Sequence, residues 1–150
     1  MNIRIGQGID FHRLVDDRDL WLGGVNIPSD RGSLAHSDGD VLLHAICDAI
    51  LGAAGMRDIG YHFPDTDPSY KNIDSKILLK KSIDIVAKKG YRVINIDSTV
   101  CLDKPKISAF VPEMCKQISS IAGIELDNVS VKATTTEGLG FTGRREGIVA

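Results

Sequence analysis

An aspartate and a histidine two residues apart, Asp10 and His12, end a stretch (residues 3–12) that alternates apolar residues with others. Such alternation predicts a β-strand. On an extended backbone, residues two apart point to the same side. A third donor, His44, lies in residues 41–51, which are rich in Leu, Ile and Ala and follow His36-Ser37-Asp38-Gly39-Asp40. Asp38 or Asp40 is suited to cap a helix there, because a short carboxylate accepts the free N–H groups of a first turn. Asp40, His44 and Asp48 then fall at i, i+4, i+8 on one face, with His36 in the entering loop. That polar line is either a solvated stripe or faces a metal or a substrate. Asp10, His12 and His44 together supply three nitrogen or oxygen donors from a strand and a helix and leave a fourth position open, as catalytic zinc requires. The plainer alternative is two unrelated histidines, one at a strand end and one on a helix face. His62 has no partner in sequence and reads as surface.

A second group is Lys132-Ala133-Thr134-Thr135-Thr136-Glu137. Threonines leaving a strand offer hydroxyl and backbone N–H groups to phosphate oxygens, and Glu137 could hold a hard cation bridging those oxygens. The alternative is a polar turn at a sheet edge. Asp58, Asp65 and Asp67 suit Asx turns or acceptors for substrate hydroxyls, and Lys106 after Pro105 suits a phosphate contact or a solvated lysine. The chain contains no GxxxxGK[ST], HExxH or GxSxG motif, so the common P-loop, zincin and serine-hydrolase readings lose support.

Around these residues the pattern predicts a strand over 3–12, where Gly6 and Gly8 permit close backbone approach on one face. Residues 20–28 predict a hairpin turning at Gly23-Gly24, 29–37 a loop, and 38–55 a helix ended by Gly55. Residues 56–72 carry little regular signal and read as a long functional or mobile loop. A second helix, capped by Asn72 or Asp74 and stopping at Gly90, should bury Ile77, Leu78, Ile85 and Val86. A long strand over 91–102, a turn at Lys104-Pro105-Lys106, a helix over 107–122 with Pro112 in its first turn, a strand over 129–134, a Gly/Thr loop and a last strand from 146 complete the chain. The order predicts an α+β fold, a two-layer α/β sandwich in which one mixed sheet carries about three helices on one face.

The 150 residues suit one domain, 1–150, with room for a core. Apolar residues make up 43% and charged residues 25%, and a net charge of −2 without a Lys/Arg run argues against nucleic acid as a partner. Cys47, Cys101 and Cys115 are odd in number and form no CxxC, which suits reduced thiols in the cytoplasm. Met1-Asn2-Ile3-Arg4 opens no apolar leader, and no run reaches the roughly 18 apolar residues of a membrane span.

Taken in order, Asp10-x-His12, His36-Ser-Asp-Gly-Asp40-x-x-x-His44, Asp58-Ile-Gly60, Phe63-Pro-Asp-Thr-Asp67, Lys132-Ala-Thr-Thr-Thr-Glu137 and Gly140-Phe-Thr-Gly143 resemble the 2-C-methyl-D-erythritol 2,4-cyclodiphosphate synthase family over nearly the whole chain. The resemblance implies a homotrimer with active sites at the subunit interfaces. Its substrate would be 4-diphosphocytidyl-2-C-methyl-D-erythritol 2-phosphate, whose 2-phosphate attacks the β-phosphorus of its own diphosphate and expels CMP. It implies zinc on Asp10, His12 and His44, and Mg2+ or Mn2+ on Glu137 bridging the diphosphate. His36, Ser37, Asp58, Ile59, Gly60, Phe63, Asp65 and Asp67 would position the methylerythritol phosphate. Lys106 would hold the cytidine diphosphate end with Ala133, Thr134 and Thr135 of a neighbouring protomer. His36 and Thr135 would position reacting groups, with no general base assigned. A central apolar channel near Phe141 and Arg144 would admit an isoprenoid-like ligand. In the family the last strand usually runs several apolar residues past the position of Ala150, which leaves the length of the final strand and the trimer core open here but removes no site residue. A phosphohydrolase on the same scaffold and a ligand-binding scaffold with structural zinc are the competing readings. The second is weakened because structural zinc takes four protein ligands.

Overall fold

The computed structural model describes residues 3–150; Met1 and Asn2, the start of the segment read as lacking a leader, lie outside the described residues. The described residues form seven strands: β1 (Phe11–Asp16), β2 (Leu20–Leu22), β3 (Val25–Ile27), β4 (Arg31–Leu34), β5 (Ile96–Cys101), β6 (Val129–Thr134) and β7 (Gly147–Val149). The helices are α1 (Val41–Ala53), α2 (Ile59–His62), α3 (Ser75–Ala87), α4 (Val111–Ala122) and α5 (Gly140–Gly143), with single 3₁₀ turns at Pro68–Tyr70, Ser108–Phe110 and Leu126–Asn128. The main sheet runs β4-β1-β7-β5-β6 and is mixed: β5 and β6 are parallel, the other pairs antiparallel. This is the expected α+β fold. The core joins α1, α3 and α4 to the sheet through Leu42, Leu43, Leu79, Met114, Ile118, Val100 and Ile148, all buried. Among the described residues no helix is long and apolar enough to cross a membrane.

Several boundaries differ from the sequence expectation. The hairpin β2–β3 forms as predicted but stands as a separate ribbon, so there is not one sheet. Residues 31–34, expected as loop, are strand β4 because β1 supplies a partner from Arg13 to Asp16. The predicted first strand starts only at Phe11, and residues 3–10 carry no strand assignment. They lie against α1 instead. A Cβ on Gly6 would fall 1.8 Å from the Ala49 carbonyl oxygen, and one on Gly8 would fall 1.9 Å from that of Ala45. The predicted strand over 91–102 shrinks to β5, since its parallel partner begins at Val129, opposite Ile96. In α3, capped by Asp74, Leu78 and Val86 are buried as expected, but Ile77 is exposed and Leu79 takes its place in the core. The 107–122 helix splits into a 3₁₀ turn and α4, with Pro112 in the first turn of α4.

The glycine contacts carry an expected result. Gly8→Ala should destabilise the fold near the upper end of the roughly 1–3 kcal/mol typical of overpacking, because the added methyl meets backbone that cannot swing aside. Gly52→Ala, in α1 with nothing within 4 Å of its Cβ position, should stabilise by about 0.5–1 kcal/mol. Urea midpoints of the two variants check the opposite signs.

Candidate metal centre

Asp10 directly precedes β1, where its backbone exchanges hydrogen bonds of 3.0 and 3.1 Å with Ala150 beyond β7. His12 is the second residue of β1, so the two side chains leave one face together. His44 is the fourth residue of α1, and Asp40 caps that helix by accepting from the Leu43 N–H at 3.0 Å. The Asp40 carboxylate also accepts from Gly23 N–H (3.0 Å) and Gly24 N–H (2.7 Å), which ties the start of α1 to the β2–β3 turn. Three donor atoms converge as a result. Asp10 Oδ2 lies 3.2 Å from His12 Nε2 and 3.1 Å from His44 Nδ1, and the two ring nitrogens are 3.1 Å apart.

This triangle fits a tetrahedral cation. Ligand atoms 2.0–2.1 Å from such an ion lie about 3.3 Å from one another, close to the spacing found. The electrostatics agree. Burial works against charge on Asp10, but its hydrogen bond with His44 and the nearby imidazoles hold its carboxyl below the usual range. Burial pushes the His12 ring below its ordinary value, with Asp10 pulling the other way. Burial also opposes charge on His44, yet Asp10, Asp40 and Asp38 outweigh it and raise that ring. Asp10 is thus favoured as the carboxylate and His12 as the neutral ring, the forms in which each ligates a metal ion. Asp10, His12 and His44 form a group able to hold one.

The other expected site residues divide into two sets. Ser37 is buried, 3.2 Å from His44 Nε2 through its Oγ, while His36 is exposed. Asp58 caps α2, accepting from Tyr61 N–H at 2.8 Å, so the loop expected over 56–72 holds a short helix. Ile59 donates its N–H to Asp48 at 2.7 Å, one turn along α1 from His44, which brings Asp58, Ile59 and Gly60 beside the cluster. Phe63 packs edge-on against Tyr70, Asp67 caps the 3₁₀ turn through Ser69 N–H, and Asp65 is exposed. His62, expected as a surface residue, is half-buried and bonded at 2.7 Å to the Met56 carbonyl.

Lys106, Ala133, Thr134, Thr135 and Glu137 stand elsewhere. Thr134 is in register with Cys101, Cys101 with Val149, and Val149 with Phe11. Three strand spacings of about 4.8 Å put Thr134 about 14 Å from the β1 end of the cluster. Within one chain the two sets do not meet. Thr135 and Glu137 bond to each other, Oγ1 to Oε1 at 3.1 Å, and Thr136 is taken up by Thr142. Phe141 packs on Phe11, and Arg144 pairs with Glu146.

A family model described as the YgbB family matches residues 3–150. The chain belongs to that family. A 2-C-methyl-D-erythritol 2,4-cyclodiphosphate synthase of Bacteroides thetaiotaomicron is 60% identical over 150 residues, covering 100% of this chain and 94% of its own. The bifunctional IspDF of Campylobacter jejuni matches with a TM-score of 0.95 and 47% identity, over 99% of this chain and 40% of that one. A 2C-methyl-D-erythritol-2,4-cyclodiphosphate synthase in a CDP-bound form matches with a TM-score of 0.89 and 36% identity, over 97% and 95% of the two chains.

One residue of this YgbB-family centre carries no signal in the sequence, and a second has a role there that its sequence position does not show. Ser75, the first residue of α3 and fully buried, sets its Oγ 2.8 Å from His44 Nε2 and 2.5 Å from Asp38 Oδ1. Asp38, suited in sequence to cap a helix, leaves the cap of α1 to Asp40 and accepts from Ser75 through both oxygens and from the Asp40 N–H at 3.2 Å. A serine opening a helix is too common to signal this in sequence. Asp48 was legible through its i+4 spacing from His44, but its partner, a backbone N–H, was not.

Proposed function

We propose that this chain converts 4-diphosphocytidyl-2-C-methyl-D-erythritol 2-phosphate to 2-C-methyl-D-erythritol 2,4-cyclodiphosphate and CMP, a phosphorus–oxygen lyase step of non-mevalonate isoprenoid biosynthesis. The observation that carries the reading is the Asp10–His12–His44 triangle, sized for a dication, in a chain of this family. Asp10, His12 and His44 would hold zinc, which would supply Lewis-acid polarisation of a phosphate, and Glu137 would hold Mg2+ or Mn2+, which would offset the charge of the diphosphate. The chain's own residues do the rest. Intramolecular attack by one phosphate on another needs proximity more than acid–base help, because the CMP phosphate leaves readily. Pre-orientation is worth roughly 7–11 kcal/mol of barrier. Asp58, Ile59 and Gly60, fixed by Asp48, and Ser37 with His36 hold the methylerythritol phosphate, with Phe63, Asp65 and Asp67 closing that side. Lys106, Ala133, Thr134 and Thr135 hold the cytidine diphosphate, the nucleotide found in the CDP-bound relative. Thr135 orients the diphosphate through its hydroxyl and no general base is required.

The roughly 14 Å between the two residue sets supports a homotrimer in which one protomer supplies the metal end and another the nucleotide end. Ile3, Ile5, Ile9 and Phe11, each more than half exposed along one segment, support burial against a second copy. In such a trimer Phe141 and Arg144 would lie near a central channel suited to an isoprenoid-like ligand. We read the chain as one family domain, 1–150, acting in the cytoplasm, in keeping with its free cysteines. Incubation with the diphosphocytidyl substrate and Mg2+, followed by phosphorus NMR, tests the reading. Cyclic diphosphate with equimolar CMP, abolished by a chelator, is the expected result. Free phosphate in place of the cyclic product would establish a phosphohydrolase instead.

A further inference from the structure

We propose that Ser75 and Asp38 are positioning residues that fix the His44 imidazole in its Nε2–H tautomer, so that Nδ1 presents a lone pair to the metal. The inference rests on the metal-centre reading above. A serine hydroxyl has one proton to give, and a carboxylate only accepts. Both Asp38 oxygens face Ser75: Oδ1 lies 2.5 Å from its hydroxyl and Oδ2 accepts its N–H at 2.9 Å. The Ser75 proton is therefore committed to Asp38, and the Ser75 oxygen, 2.8 Å from His44 Nε2, has only lone pairs left for the ring. Ser37 accepts the Gly39 N–H at 3.1 Å and keeps its own proton, but donating that proton over 3.2 Å to a bare Nε2 would leave the Ser75 lone pairs facing a ring lone pair at 2.8 Å, so the nearer oxygen decides. Nε2 must donate. The opposite nitrogen is the one 3.1 Å from both Asp10 Oδ2 and His12 Nε2.

The relay is held from outside the helix that carries His44. Asp38 N–H donates to the Ile73 carbonyl at 3.1 Å and Asn72 N–H donates to the His36 carbonyl at 2.7 Å. These two bonds stitch the loop before α1 to the approach of α3, so the ring is oriented jointly by two helices. Hydrogen bonds of this kind to a ligating histidine set both its tautomer and its basicity.

The test uses the full chain with zinc alone as probe. Long-range 15N–1H NMR of the zinc-loaded protein should show His44 protonated at Nε2 and metal-bound at Nδ1, with a slowly exchanging Nε2 proton. Chelator competition should give Ser75→Ala and Asp38→Asn zinc affinities about 10–100-fold below the parent, with faster exchange of that proton. An Asp38 amide can present its NH2 to Ser75 and reverse the relay, so this variant changes polarity without emptying the site. Parent-like zinc affinity within twofold in both variants, or a proton on Nδ1 in the loaded parent, would overturn the relay while leaving the metal centre intact. Should the parent bind no zinc, the relay and the metal reading both fall. Where a variant does not fold, the tautomer read in the parent decides.

Discussion

His44→Ala should lower CMP formation by about 10³-fold or more, and zinc should no longer co-purify with the protein. The reasoning begins with ligand number. Asp10 and His12 alone leave two donors, below the three that a catalytic site needs to hold its ion. The ion is asked to stabilise several kcal/mol of charge developing on phosphate oxygens, and each 1.36 kcal/mol of barrier is a tenfold change in rate. The fold should survive. His44 contributes its ring to a polar cluster rather than to the apolar core of Leu42, Leu43 and Met114, and alanine is the better helix former at that position. The decisive comparison is with His36→Ala, whose side chain is exposed in the loop before α1. It should keep its zinc and lose activity only through weaker substrate binding. Metal analysis, a thermal melt and an initial-rate assay on the two variants check all three statements. A His44→Ala protein with parent-like turnover would end the metalloenzyme reading.

The parts of this site legible in sequence were those set by local spacing. The i, i+4 step from His44 to Asp48 and the two-residue step from Asp10 to His12 survive in the structure because helix and strand periods determine which side chains share a face. Asp40, the N-cap of α1, instead turns its carboxylate to the β2–β3 turn and the first turn of the helix. The elements that misled depend on distant partners. Arg31-Gly32-Ser33-Leu34 has neither alternation nor β-branched residues and becomes a strand only because β1 lies beside it. Tyr91 to Asn95 has the composition of a strand but lacks one, since its neighbour in the sheet does not begin until Val129. Residues 3–9 do alternate, but in reverse of a core strand: Gly6 and Gly8 meet α1 while Ile3, Ile5 and Ile9 face outward. The separation of the two residue sets could not be read at all without strand order, because β6 is sequential to α4 yet sits at the far edge from β4.

Asp40→Ala should be the most destabilising single substitution near the site, costing about 3–5 kcal/mol. The side chain is fully buried and accepts three backbone N–H groups, from Gly23, Gly24 and Leu43. Alanine leaves all three without their acceptor. A buried donor left unpaired costs about 1–3 kcal/mol, and the lost cap of α1 is the Leu43 share of that sum. Gly24 is only partly buried, so water recovers some of its share. For a chain of this size the loss corresponds to a drop in Tm of roughly 10–15 °C. Asp40→Asn should be milder. Burial pushes the Asp40 carboxyl above its usual range, although the bonds from Gly24, Leu43 and Gly23 oppose this. The charge is thus disfavoured there, and an amide oxygen at the Oδ1 position still accepts from Gly23 and Leu43. Only the Gly24 N–H then meets a donor. The effect reaches the metal because the His44 N–H bonds to the Asp40 carbonyl at 3.0 Å: a frayed first turn of α1 moves His44 off the triangle. Zinc affinity should therefore fall in the order parent, Asp40→Asn, Asp40→Ala, in step with the melting temperatures. Equal melting temperatures for alanine and parent would show that the capping network contributes nothing to holding the centre together.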